Sequence, residues 1–295
     1  MVRFNTNGST SITGSLTSNG TCDTWLWLKS LTDGIFEDIA FSSPQSITLN
    51  ICQDINCTTS NLTNNYGVDL SGNTGVTFLT SRAGTTFYWV GSTAGNTKTG
   101  TFSTGVNDNW CNPDNWSLTS GVYSGTNSCI PGAQDNVVFD ANSFTAGAGT
   151  VDLDLLLQSC NGMTWTGIPA GCTMDAGVTT NDRELIIFGS TILNANLDNQ
   201  FESLITFFAH SATVRTITSN GSNFFGNIDF DYAGWNWTIA DDFDMNGEQR
   251  ADVEFVRGTV NGQLRMIGRS QGAHIQLQLQ QLSLMDQRHK TVVKR

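Results

Sequence analysis

The chain has 295 residues, and its 26 Asp and Glu against 14 Lys and Arg give a formal net charge of −12. A nucleic-acid partner needs a basic footprint. Six of the Lys and Arg residues fall in the first 249 positions, which excludes nucleic acid. No apolar run approaches the ~20 residues of a membrane-spanning helix, and the 14% charged residues, 30 Gly and 4 Pro describe uncharged polar surface over a β core rather than a disordered chain.

Residues 1–82 read as a first β block. Val2-Arg3-Phe4, Trp25-Leu26-Trp27-Leu28, Ile39-Ala40-Phe41, Ile47-Thr48-Leu49 and Val76-Thr77-Phe78 are its expected strands. Asn64-Asn65-Tyr66 and Ser71 to Gly75 are its expected turns. The N-terminal residues Met1 to Gly8 already read as a strand and a corner, with no signal peptide. The chain is therefore expected to be a segment of a longer protein.

Residues 83–136 read as a junction or cap. Thr86 to Gly91 is strongly β in character, Ser92 to Gly105 is a Gly/Thr/Ser-rich loop, and Trp110-Cys111-Asn112-Pro113-Asp114-Asn115-Trp116-Ser117 follows. Pro113 argues against a central strand there.

Residues 137–271 carry a ladder of short triplets. These are Val137-Val138-Phe139, Met163-Thr164-Trp165, Ile186-Ile187-Phe188, Ile205-Thr206-Phe207, Ile228-Asp229-Phe230 and Val253-Glu254-Phe255. Each ends in an aromatic, and the middle residue varies freely. Alternation in a strand sends the first and third side chains inward and the middle one out. A second β-rich step follows at Ile192-Leu193, Val214 to Ile217, Trp237-Thr238-Ile239 and Val260, with corners at Ser219-Asn220-Gly221, Ala233-Gly234, Asn246-Gly247 and Asn261-Gly262. A repeat of roughly 20–25 residues built this way marks a β-solenoid. The fold expected is an all-β, right-handed parallel β-helix, favoured over an antiparallel sandwich, which places turns every 8–12 residues or so. Residues 272–295 lose the Gly/Asn corners and turn basic. Although 273–280 alternate as a strand would, the segment reads as a solvated basic tail, disordered or non-native.

The seven cysteines, Cys22, Cys52, Cys57, Cys111, Cys129, Cys160 and Cys172, form no paired C-x-x-C cluster of a zinc site. Scattered cysteines in an acidic, Thr/Asn-rich β chain suggest an oxidising, extracellular setting. The pair Cys52 and Cys57 invites either a tight local disulfide or two bonds to elsewhere.

One longer string resembles a known pattern. It comprises Tyr88-Trp89-Val90-Gly91, Trp110 to Ser117, Cys129-Ile130-Pro131-Gly132-Ala133-Gln134-Asp135-Asn136-Val137-Val138-Phe139-Asp140 and Cys160 to Gly167. The string is similar to a repeat unit of the large secreted surface proteins of gliding, type IX-secreting bacteria. Asp69 to Phe78 resembles the end of a preceding unit, although Val76 stands where Trp is more usual, and the insert Ser92 to Asn109 departs from the compact form. The resemblance implies tandem β-helical modules of adhesin-like cell-surface proteins and no catalytic residues.

Several constellations are candidates for chemistry. Asp242, Asp244 and Asn246 open like a D-x-D-x-N-G calcium loop. The twelfth position is Val253 rather than Glu, so only a weak Ca²⁺ site is expected. Asp152 and Asp154 alternate on one strand, as do Asp229 and Asp231, and stacked carboxylates of this kind serve glycosidases and lyases. Arg183 and Arg215 are the basic residues inside the ladder before Arg250. The histidines His210, His274 and His289 are scattered and suggest no catalytic arrangement. Trp110, Trp116 and Trp235 are the candidate sugar-stacking residues. Capping the open end of a solenoid also demands large apolar groups, and that role is favoured for the Trp-rich loops.

The function expected is a non-catalytic exported spacer at the bacterial cell surface, without cofactors, whose partners are extracellular glycans or proteins. A glycan-binding module using exposed Trp and a β-helical polysaccharide-degrading enzyme are the alternatives. Clustered carboxylates with an adjacent Arg would favour the enzyme.

Overall fold

The computed structural model describes residues 2–4, 9–20, 26–30, 35–65, 68–69, 72–79, 84–91, 108–122, 130–144, 147–155, 157–176, 183–208, 213–231, 236–245, 253–255, 258–261, 264–267, 274–277, 282–284 and 291–293. The chain divides into two compact units, Met1–Ala83 and Gly84–Arg295. Apart from one 3-10 turn at Pro113–Asn115, the regular elements among the described residues are β-strands, and most of them pair in parallel. No helix among them is long and apolar enough to cross a membrane.

The first unit has three walls. Val2–Phe4, Leu26–Ser30, Asn50–Gln53 and Val68–Asp69 lie side by side in one sheet. Thr10–Ile12, Glu37–Phe41 and Ile55–Cys57 form a second, and Gln45–Thr48, Leu62–Asn65 and Val76–Leu79 a third. All these pairings are parallel, and from Leu26 onward the chain visits the walls in a fixed order. The corners are tight. Leu49 and Asp54 each turn the chain as a single residue at positive φ, +53° and +56°, a conformation that costs an L residue ~1–2 kcal/mol. Gly75 (φ +67°) leaves no room for a side chain, because a Cβ there would collide with the Cys57 carbonyl. Leu28, Ile39, Phe41, Ile47, Ile55 and Leu62 fill the space between the walls.

Asparagines stitch one circuit of this unit to the next. Asn64 donates through Nδ2 to the Asn50 carbonyl (2.8 Å), and Asn50 donates to the Ser18 and Thr48 carbonyls (2.7 and 2.8 Å). Asn61, Asn65 and Asn73 likewise reach the Phe41, Ile47 and Cys52 carbonyls. Asn64 and Asn65, expected in a turn, therefore lie in a strand. Their amides satisfy buried backbone carbonyls, which would otherwise carry a desolvation penalty.

The second unit repeats the scheme. Its first wall runs Trp116–Ser117, Thr86–Trp89, Asn136–Phe139, Met163–Trp165, Thr191–Ile192, Arg215–Thr218, Asn236–Ile239 and Gly258–Asn261. The second is in two pieces: Thr150–Asp152, Cys172–Asp175 and Leu197–Asn199, then Asn223–Phe224, Phe243–Met245 and Leu264–Ile267. The third holds Leu157–Cys160, Glu184–Ile187, Leu204–Phe208, Asn227–Asp231 and Val253–Phe255. Within residues 83–136, expected as a junction or cap, Thr86–Trp89 and Trp116–Ser117 are the opening strands of the first wall. Thr86–Trp89 pairs in parallel with Asn136–Phe139 and antiparallel with Trp116–Ser117.

The triplet ladder is real but spans two walls. Val137 and Phe139 pair with Met163 and Trp165 on the first wall. Ile205, Ile228 and Val253 stack on the third, beside a row of Phe207, Phe230 and Phe255. The triplet at 186–188 is out of phase by one residue. Leu185 pairs with Ile205 and Ile187 with Phe207, while Ile186 stands in line with Thr206 and Asp229. The second β-rich steps do align, through Ile192↔Thr218, Ile217↔Ile239 and Trp237↔Val260.

Strands also form in the segment read as a tail, and they run the opposite way. His274–Leu277 pairs antiparallel with Leu264–Ile267, Leu282–Leu284 with Gly258–Asn261, and Thr291–Val293 with Val253–Phe255. The chain turns and retraces its last circuit, covering one edge of each wall.

Candidate functional site

The residues with the most chemistry gather where the second wall begins. In Val151 to Leu155 the apolar Val151 and Leu153 are fully buried, and Asp152 and Asp154 alternate to the other side, half-buried. Asp152 is in register with Asp175 on the next strand. Residues 108–111 lie across the open edge of this wall. The Asp152 amide donates to the Asp108 carbonyl and the Trp110 amide to the Asp152 carbonyl, each at 2.7 Å. Both Asp154 carboxylate oxygens are taken by Cys111, one by its amide at 2.9 Å and one by its thiol. Arg183 Nη1 stands 3.3 Å from Asp152 Oδ1 and also donates to the Leu153 carbonyl (2.6 Å) and the Ala176 carbonyl.

Burial pushes the Asp152 carboxyl up to about 6. The Arg183 guanidinium opposes the rise, and the charges of Asp154, Asp175 and Asp108 add to it. Burial, then the Asp154 hydrogen bond and charge, push the Cys111 thiol up to about 12, so it is a poor nucleophile at neutral pH.

The structure thus brings together an acid pair and an arginine that the sequence had offered separately. The second pair lies elsewhere: Asp229 and Asp231 are on the third wall, and only the backbone of Asp231 is described. Chemically the cluster is a clasp. The guanidinium is spent on two backbone carbonyls as well as Asp152, and Asp154 is held by Cys111. Among the described residues no group of His, Cys, Asp and Glu is arranged to hold a metal ion.

The remaining candidates are placed as follows. Trp110 and Trp116 are not exposed: both are 0% accessible. Their rings meet each other at 4.7 Å, and Trp116 meets Trp89 at 5.0 Å and Phe139 at 5.8 Å. The Trp116 Nε1–H donates to the Trp110 carbonyl at 2.9 Å. Sugar stacking needs an open ring face, so these two residues are corrected from candidate ligands to core. The Pro113–Asn115 turn, capped by the Asn112 side chain accepting from the Asp114 amide, folds the loop so that both indoles turn inward. Trp235 and Asn246 lie outside the described residues. Asp242 is exposed at a corner and Asp244 sits within the strand Phe243–Met245, an extended element rather than a loop wrapped around a cation. The neighbouring Asp241 accepts from the Ser219 and Asn220 amides at 2.7 and 2.6 Å, which makes it a corner clamp. His210 and His289 also lie outside the described residues.

Cys52, Cys57, Cys111, Cys160 and Cys172 are free thiols. The local Cys52–Cys57 disulfide does not form, because Cys52 is on the first wall of its unit and Cys57 on the second. Cys22 and Cys129 lie outside the described residues.

Two kinds of site residue were missed in the sequence. Asp135 is fully buried and accepts from the Thr85 and Gly132 amides at 3.0 Å each. The stitching asparagines are the other. Asn64, Asn65 and Asn73 lie in stretches whose composition marks a turn, and Asp135 has no signal of its own beyond its place just before a strand. No protein family of known signature matches the chain, and no curated protein or solved structure does either.

Proposed function

We propose that the chain is a right-handed parallel β-helical segment of a large exported bacterial surface protein, of the adhesin-like kind that its opening motifs resemble. It acts there as a non-catalytic spacer that displays its outer faces to extracellular glycans or proteins. The carrying observation is the use of the polar groups. Arg183, Asp154, Asp135, Asp241, Asn50 and Asn64 are all engaged in clamping one circuit to the next. The handedness follows from the rule that a crossover returning to a parallel neighbour in the same sheet is right-handed in nearly every case. Incubation with a panel of neutral and acidic polysaccharides, read by reducing ends and by unsaturated-uronate absorbance, should give no turnover. Turnover that disappears in Asp152→Asn would overturn the spacer reading.

One observation favours the enzymatic alternative. Asp152, held up to about 6 beside Asp175 and Arg183, has the acidity of a general acid near neutral pH. Against it stands the missing partner, since both Asp154 oxygens are already committed to Cys111.

A further inference from the structure

The walls of the second unit differ in charge. The second carries Asp152, Asp175 and Asp198 within its strands, and the third carries Glu184, Asp229 and Glu254. The first wall, from Thr86 to Ile239, contains no Asp, Glu or Lys in any strand. Its one charged residue, Arg215, points inward, is 6% accessible and donates to the Phe188 carbonyl. On a chain of net charge −12, the described strands of one wall carry no ionised side chain at their outward positions.

What this wall shows outward is set by register. Met163, Trp165, Ile217 and Ile239 are buried, so the alternate positions face out. One row runs Val138↔Thr164↔Ile192↔Thr218, and beside it Thr216 pairs with Thr238. Ile192 is 42% exposed and the others half-buried. The result is a band of methyl and hydroxyl groups repeating at the strand spacing of ~4.8 Å.

We propose that this uncharged wall is a docking surface for a neutral polysaccharide. The proposal rests on the surface-display reading above and names its partner. Charge matching carries it. A neutral glycan has alternating C–H and hydroxyl surfaces that match the band and loses no ion hydration on docking. An anionic polymer would be repelled by the carboxylates of the flanking walls and would find no cation on this one. Each rung contributes weakly, and the repeat of similar, uncharged rungs sums them.

The test is retention of the full chain on insoluble cellulose, chitin, xylan and agarose, with alginate beads as the anionic comparison. Retention by at least one neutral polymer is expected, about tenfold above alginate and unchanged between roughly 0.05 and 1 M NaCl, since no ion pair is involved. Thr164→Glu and Ile192→Glu, which place a carboxylate on the band, should each lower retention roughly tenfold or more. Thr173→Glu on the second wall should not. Circular dichroism reports folding, and if a Glu variant unfolds, Ile192→Ser removes the aliphatic contact without adding charge and should still weaken retention. The proposal is overturned if no neutral polymer retains the chain or if the band variants bind like the parent. It is also overturned if sedimentation shows a self-association that the band variants abolish, which would make the wall a contact between copies. Absence of retention without turnover removes this proposal alone, whereas turnover removes the spacer reading whatever the binding.

Discussion

Trp116 and Trp165 look alike in the sequence and are equally buried, but they are held differently. The Trp116 indole N–H has the Trp110 carbonyl as acceptor. Trp165 lies stacked on Phe139 at 3.8 Å, and its N–H has no acceptor. Replacing Trp116 by Phe strands a buried carbonyl, which costs about 1–3 kcal/mol beyond the lost area. Trp165→Phe loses area but strands no partner, and it removes a buried N–H that has no acceptor. Urea denaturation should therefore rank Trp116→Phe as the more damaging change by about 1–2 kcal/mol, and equal costs would show that the hydrogen bond contributes nothing. Asp152 adds a pH dependence. Its folded pKa of about 6 lies above the ordinary 3.8, so between those values the folded chain holds a proton that the unfolded chain releases. The stability tied to this group is complete below about 4 and is lost as pH rises through about 6. Melting temperatures measured from pH 4 to 7 should fall less steeply in Asp152→Asn than in the parent.

At the scale of elements, the asparagine stitches join neighbouring strands. Asn64 is fully buried and donates to the Asn50 carbonyl. Asn64→Ala should cost about 1–3 kcal/mol by leaving that carbonyl unpaired. Asn64→Asp should cost more, because an acceptor would then face an acceptor. Equal denaturation midpoints for the two variants would contradict this account. The same scale explains what the sequence could and could not convey. Parallel pairing and inward rows were legible because Val137, Ile205 or Phe230 alternate with polar or variable residues. The phase at Leu185-Ile186-Ile187-Phe188 was not, because all four side chains are buried and an unbroken apolar run has no alternation to read. Nor could spacing tell one wall from another, since an apolar-x-aromatic triplet serves any of them equally. Trp110 and Trp116 misled for a related reason: polar, Pro-containing surroundings signal a loop, but not which way the loop folds its rings.

For the whole molecule, the strands at 274–293 decide how one end of the second unit meets water. Unpaired strand edges template association with other chains. Removing residues 272–295 would expose the edges of Leu264–Ile267, Gly258–Asn261 and Val253–Phe255. The shortened chain should form concentration-dependent oligomers or aggregates by light scattering, and a monodisperse monomer of unchanged melting temperature would show that the covering is dispensable. The alternation through residues 273–280 did signal a strand, but alternation carries no information about direction, and the basic composition suggested solvent.

The reversal of that last segment also sets an order of events in time. Each parallel pairing closes a chain loop of about one circuit, so the entropy lost is similar at every step, and structure can start at any circuit and spread. The reversed strands differ. Leu264↔Leu277 is near in sequence, Val260↔Leu282 farther, and Val253↔Val293 farther still. Closing the first shortens the effective loop for the second, and the second for the third. The terminal segment therefore zips outward from residues 264–277, and hydrogen-exchange pulse labelling during refolding should find those amides protected before the amides of 291–293.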